Sequence, residues 1–368
     1  MVSPSALSTR RARVMNAALA FAALCLTLAA CSSEPLVPYS TDTPPLALVP
    51  ASSVSVADGR ARFREIYCAV LARRDLPDHR PCGKALTVVG EEPTEAPRPV
   101  DLGASHRHLV AAVVPGVGFE CVEPWLEAPG TAAQHLRSFG FDQIFIKVDA
   151  LSSTQNNARQ IREAVMAMPV EPGPARLVLI GYSKGAPDAL EAIVSYPEIR
   201  HRIAALVSLA GAIGGSPLAN EAEQSHAELL RSFPQASCGS GDGGAVASLR
   251  PAWRRAWLAR NPLPADLRTY SVVTFPEPDR ISSILKSSYR KLAQIDPRND
   301  SQLIFYDQVI PGSVLLGYLN ADHWAVALPI ARSHGVIAAT LVTQNAYPRE
   351  ALLEAILRFI EEDLSGSG

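Results

Sequence analysis

The chain has 368 residues, 48% of them apolar and 19% charged, with a net charge near −2. That length supports one large hydrophobic core, and the composition excludes a disordered chain. The near-zero charge gives no reason to expect nucleic acid as a partner, and no internal repeat or heptad is visible.

Arg10, Arg11 and Arg13 precede an apolar run from Met15 to Ala30. The run is short for a membrane span and leads into Pro/Ser-rich sequence, so residues 1–30 read as an export signal. Ordinary signal-peptide cleavage before Cys31 would put Leu28 where a small residue is needed. The segment Leu28-Ala29-Ala30-Cys31 instead resembles a bacterial lipobox. That resemblance implies a lipidated Cys31, attachment to a membrane and, with Ser32 next, the outer membrane facing the periplasm. A plain cleaved signal with an incidental cysteine is the competing reading. Residues 31–57, rich in Pro, Ser and Thr, read as a lipid-anchored tether.

Residues 58–104 form an N-terminal extension with a helix over Ala61–Arg73, an edge strand over Ala85–Val89 and no functional signal. From about residue 105 short apolar runs alternate with helical patterns. Strands are expected at 109–114, 143–148, 176–181 and 203–209, with helices at 131–139, 153–168 and 186–196 between them. The alternation breaks at an insertion, 214–267, containing a helix over Ala222–Phe233 and an aromatic-basic stretch through Trp253 and Trp257. Strands at 270–275 and 314–319 and a closing helix at 349–364 complete the pattern. Continuous apolar strands separated by helices predict an α/β fold, a mostly parallel sheet covered on both faces, here with an inserted cap.

Beyond the leader, Cys68, Cys82, Cys121 and Cys238 remain. In an oxidising compartment they suggest disulfides with three possible connectivities, Cys68–Cys82 being the nearest pair in sequence; buried free thiols are the alternative. Their spacing fits no zinc site, and no metal or organic cofactor is expected.

Chemistry concentrates at Gly181-Tyr182-Ser183-Lys184-Gly185. A G-x-S-x-G match is modest alone, but this one falls where an apolar strand turns into a helix, the setting a nucleophile elbow needs. Here the chain resembles the α/β-hydrolase superfamily, in its bacterial lipase/esterase-like branch, from about residue 105 to the C-terminus. The strand Ala205–Gly211 and the small-residue turn Ile213–Pro217 that follow the elbow belong to the same resemblance.

The resemblance implies the chain order Ser, acid, His. Of His201, His226, His323 and His334, which follow Ser183, His323 lies in the loop after the last core strand, where the family carries its base. Candidate acids are Glu277, Asp279, Asp300 and Asp307. Asp300 is preferred because Asn299-Asp300-Ser301-Gln302-Leu303 resembles the family's Asn-Asp-Gly-x-Val segment, with Ser301 replacing glycine; Asp307 ranks second and Asp279 third. The oxyanion donors implied are the backbone N–H groups of Lys184 and of Val117, in Pro115-Gly116-Val117-Gly118-Phe119, where Pro115 replaces the family's histidine. The Lys184 side chain is expected to face solvent without a chemical role.

The function implied is hydrolysis of carboxylic esters through an acyl-enzyme on Ser183, with an ester or lipid-like small molecule as substrate and the membrane reached through the lipid anchor. A thioesterase, amidase or polyester depolymerase would use the same triad, and a catalytically inactive hydrolase-fold binding lipoprotein is the rival from another class. Residues 214–267 stand where the family places its lid. Leu229, Leu230, Phe233, Trp253 and Trp257 could line an acyl pocket or form the core of a small cap.

Overall fold

A computed structural model describes residues 56–93, 98–123, 126, 130–169, 176–222 and 238–366. The expected leader, Cys31, nearly all of the tether and most of the helix expected over Ala222–Phe233 lie outside the described residues.

An eight-stranded sheet is formed by β1 (Ala57–Asp58), β2 (Leu86–Thr87), β3 (Val110–Val114), β4 (Asp142–Phe145), β5 (Leu177–Tyr182), β6 (Ile203–Leu209), β7 (Arg268–Thr274) and β8 (Val314–Leu319). Its order is β1-β8-β7-β6-β5-β3-β4, and β2 pairs with β8. Only β2 runs antiparallel. The longer helices are α1 (Arg60–Arg73), α2 (Gly130–Arg137), α3 (Thr154–Ala167), α4 (Gly185–Ser195), α5 (Pro251–Arg260), α6 (Lys286–Ala293) and α7 (Arg349–Ser365).

The strands explain their own apolar runs. Every residue of β5 is buried. Its side chains alternate: Val178, Ile180 and Tyr182 enter one apolar cluster with α1, α2 and α7, while Leu177 and Leu179 enter a second with α3, α4 and Trp257 of α5. A period of two with both faces covered produces a continuous hydrophobic run. Ser153 caps α3, its hydroxyl accepting from the Asn156 N–H.

Two expectations for strands are trimmed. The edge strand expected over Ala85–Val89 is paired only at Leu86 and Thr87, opposite Leu319 and Tyr318. The strand expected to reach Val148 ends at Phe145, which is exposed at the sheet edge. The N-terminal extension is built into the fold. β1 runs parallel to β8, and a Cβ on Gly59 would stand 2.7 Å from Val314 and 2.9 Å from Phe359. Disulfides join Cys68 to Cys82 and Cys121 to Cys238. The first is the nearest-neighbour pair; the second ties the segment after β3 to the chain that leads into α5.

β5 lies in the interior of the sheet, and its C-terminal end opens the crevice where ligands of open parallel sheets bind. A third cluster, with Phe275, Leu292, Ile304, Phe305 and Tyr318, supports the loop between α6 and β8 beside that crevice.

Candidate active site

β5 turns into α4 within the Gly181–Gly185 motif. Ser183 has φ +54°, a left-handed conformation that a residue with a side chain adopts only when its surroundings impose it. The glycines explain how the turn closes. A Cβ on Gly181 would lie 2.3 Å from the Ala186 Cα, and one on Gly185 would lie 2.0 Å from the Val114 carbonyl oxygen. No side chain fits at either place. Further hydrogen bonds lock the turn: the Ser183 N–H donates to the Leu209 carbonyl, and the Ser183 carbonyl accepts from Ala186 and Ala212.

His323 stands in the loop after β8. Its Nε2 is 2.9 Å from Ser183 Oγ and its Nδ1 is 2.7 Å from Asp300 Oδ2. The backbone of His323 is held on both sides: its N–H donates to the Asp300 carbonyl, and its carbonyl accepts from the Tyr182 hydroxyl at 2.8 Å. The preceding residue, Asp322, accepts from the N–H groups of Ser282, Trp324 and Ala325 and so shapes the loop. Burial raises the Asp322 carboxyl above its ordinary range, and the Ser282 and Ala325 donors limit the rise.

Asp300 is fully buried. Its Oδ1 accepts from the N–H groups of Gln302 (2.9 Å) and Leu303 (2.7 Å), and its Oδ2 from the Thr274 hydroxyl (2.5 Å) as well as His323. Donors of this number satisfy the buried carboxyl and fix its orientation. The tautomer follows from this network: with the Nδ1 proton donated to Asp300, Nε2 is left to accept the Ser183 hydroxyl proton. Ser301 occupies φ +80°, the region glycine prefers. It keeps the turn of the resembled segment without the residue that adopts it most readily, and its hydroxyl donates to the Asp300 carbonyl.

The other acids stand elsewhere. Asp307 lies against Gly214, whose Cβ would meet its Oδ1 at 2.3 Å, and burial pushes its carboxyl up to about 7. Asp279 is exposed, and Glu277 accepts from the Asn320 side chain.

Val117 and Gly116 line the same cavity as Ser183. A Cβ on Gly116 would be 2.8 Å from the Ser183 Cβ, so this loop passes directly over the serine. Among the described residues neither the Val117 nor the Lys184 backbone N–H has a protein acceptor. Two unspent donors beside a serine oxygen are what a developing oxyanion requires.

The expectation that Lys184 faces solvent is corrected. Its side chain is 1% exposed, with Nζ 2.7 Å from both carboxylate oxygens of Asp188. Asn157 of α3 also donates to Asp188, at 2.7 Å. Burial pushes the ammonium down and the carboxyl up, and each draws the other back toward its charged form.

The cavity above Ser183 measures about 590 Å³. Phe119, Leu126, Leu218, Leu249, Ile337 and Leu341 are among its walls. No Asp, Glu, Lys or Arg belongs to its described lining. Trp257 is instead buried in the core under an Arg254 guanidinium 4.8 Å from its ring, and Trp253 is exposed. Neither tryptophan lines the cavity; Leu229, Leu230 and Phe233 lie outside the described residues. Among the described residues no cluster of side chains is arranged to hold a metal ion.

No protein-family model and no curated protein matches the chain. Solved structures do. The metagenomic carboxyl esterase MGS0156 is 38% identical over 92% of this chain and 99% of its own, with a TM-score of 0.79. Staphylococcus hyicus lipase (11% identity, 73% of this chain and 100% of its own) and Pelosinus fermentans lipase 1 (12%, 70% and 98%) both give a TM-score of 0.50 and share the fold.

The geometry sets apart one carboxylate. In folded protein Asp300→Asn is expected to lower kcat by on the order of 10⁴, because an amide leaves the imidazole free to take the wrong tautomer. Asp307→Asn is expected to cost at most a few-fold. Equal losses in the two variants, measured as steady-state ester hydrolysis, would contradict the assignment.

Proposed function

The chain belongs to the α/β-hydrolase family of esterases and lipases, and from that footing we propose that it hydrolyses carboxylic esters through an acyl-enzyme on Ser183. The observation that carries this reading is the unbroken chain from Asp300 through His323 to Ser183 Oγ, with contacts of 2.7 and 2.9 Å. The carboxyl esterase relative, covered almost end to end, supports the choice of ester as substrate.

The mechanism follows from the atoms. As Ser183 Oγ attacks the ester carbonyl carbon, its proton passes to His323 Nε2. Asp300 stabilises the imidazolium through Nδ1. The carbonyl oxygen, now an oxyanion, takes the N–H groups of Val117 and Lys184. The imidazolium protonates the departing alcohol. Water enters, gives a proton to Nε2 and attacks the acyl carbon, and Ser183 recovers its proton as the acid leaves. A cavity of about 590 Å³ whose described lining is mostly apolar favours neutral esters with apolar acyl or alcohol groups.

Attachment to the outer membrane through lipid on Cys31 is part of the same proposal, supported by the lipobox-like Leu28–Cys31 segment. A single acyl chain binds a membrane marginally, so stable attachment requires the several chains of a processed lipoprotein.

Two experiments check these readings. A fluorophosphonate probe is expected to label the wild-type protein once per chain. Ser183→Ala is expected to fold, to lose the label, and to lose on the order of 10⁶ in kcat; a folded mutant that labels and turns over normally would refute the nucleophile. For the anchor, wild-type protein expressed from its full gene is expected in the detergent phase, and Cys31→Ser in the aqueous phase. An unlipidated, soluble wild-type protein would refute the anchor alone.

A further inference from the structure

Lys184 is tied to the elbow twice. Its N–H is offered as an oxyanion donor, while its side chain leaves the cavity for a buried bidentate contact with Asp188 one turn along α4. Electrostatics within the helix does not account for that contact. A cation at a helix N-terminus opposes the macrodipole, and a lysine preceding its acid by four residues is the weaker order of such a pair. Burial does not account for it either, since buried ion pairs are often matched or exceeded in stability by apolar residues of similar size. Asp242 draws the ammonium toward its charged form and Arg254 opposes it, so the surroundings do not single out a cation here.

The contact lies on the residue whose N–H completes one peptide plane of the elbow. Ser183 is in a strained conformation, and its carbonyl is held by the N–H groups of Ala186 and Ala212. In a planar trans peptide the Lys184 N–H points opposite to that carbonyl. The serine end of the plane is therefore pinned by hydrogen bonds, and the lysine residue is held by its side chain and by its carbonyl, which accepts from the Asp188 N–H at 3.2 Å. Asp188, itself held by Asn157 of α3, is the fixed point. Gly185 meanwhile seats the elbow against the carbonyls of Val114 and Pro115, at the root of the loop that carries Val117.

We propose that Asp188 is a positioning residue for the oxyanion hole, acting through the Lys184 side chain to aim the Lys184 N–H at the developing oxyanion. The inference rests on the acyl-enzyme reading of Ser183. Asp188 touches no reacting atom; because the oxyanion it serves develops only after Ser183 attacks, its effect falls on the transition state and not on ground-state binding.

The test compares wild type, Asp188→Asn and the double variant Lys184→Met/Asp188→Leu, with active sites counted by fluorophosphonate titration. The probe for the hole is an aryl trifluoromethyl ketone. Ser183 Oγ bonds to its carbonyl carbon, the serine proton moves to His323, and the hemiketal oxyanion occupies the hole. The double variant is expected to keep or raise Tm, since no charge is left unpaired. Its kcat per titrated site is expected to fall about 10- to 100-fold, as for a misaimed catalytic group. KM for a p-nitrophenyl ester should stay within about two-fold, and ketone affinity should fall in step with kcat/KM. Asp188→Asn, which strands the ammonium, is expected to lose both Tm and kcat, and it reads the effect on kcat should the double variant fail to fold. Wild-type kcat and ketone affinity in either folded variant would overturn the proposal, as would a loss confined to Tm or KM. A wild-type protein that neither labels nor hydrolyses would instead overturn the acyl-enzyme reading beneath it.

Discussion

The left-handed backbone of Ser183 is the constraint on which the site depends. A serine at φ +54° is held there by its neighbours, at a cost of about 1–3 kcal/mol for such a conformation. The neighbours are the Ala186 backbone against Gly181 and the Val114 carbonyl against Gly185, both too close for any side chain. That packing joins β5, α4 and the loop after β3 into one rigid corner. The proposed catalytic groups are built on this corner: the Ser183 hydroxyl, the neighbouring Lys184 N–H and the loop of Val117 packed against the serine.

The second half of the site is brought in by burial. Asp300 is taken wholly out of water, yet its oxygens receive the Gln302 and Leu303 N–H groups, the Thr274 hydroxyl and the imidazole. A carboxylate so supplied has little freedom to turn, and His323 inherits that rigidity through Nδ1. The Tyr182 hydroxyl then ties the His323 carbonyl to the strand that presents the nucleophile. Residues far apart in sequence thus share one frame, consistent with the preorganisation an acyl transfer needs.

Much of this was legible because the physical signals are local. Continuous apolar runs mark β3 through β8, and helical spacing marks α2, α3, α4 and α7, to within a few residues, whereas α5 and α6, short helices in the stretches between β6 and β8, were not anticipated. The elbow is legible because its glycines answer a steric demand that the motif states in five residues. Asp300 was reachable only through the resemblance of its segment; nothing in the charge pattern separates it from Asp307, and burial and donors do that in three dimensions. The Lys184 side chain was misjudged because a lysine next to a loop serine reads as surface, and its partner Asp188 is buried with it by the packing of α3 on α4. The i, i+4 spacing of Lys184 and Asp188 was the available signal. The paired edge of β2 is two residues long, too short for any periodicity, and Trp257 is core because its partners come from the distant strand and helix layers.

Covalent chemistry at one oxygen, Ser183 Oγ, is the most direct test of the site. Inactivation with p-nitrophenyl N,N-dimethylcarbamate, followed by peptide mass analysis, measures it, because the carbamoyl group transferred to the nucleophile hydrolyses slowly. One nitrophenolate is expected to be released per chain, with a single dimethylcarbamoyl group on Ser183. Inactivation that leaves the Ser183 peptide unmodified, or carries the group on another residue, would contradict the assignment of Ser183.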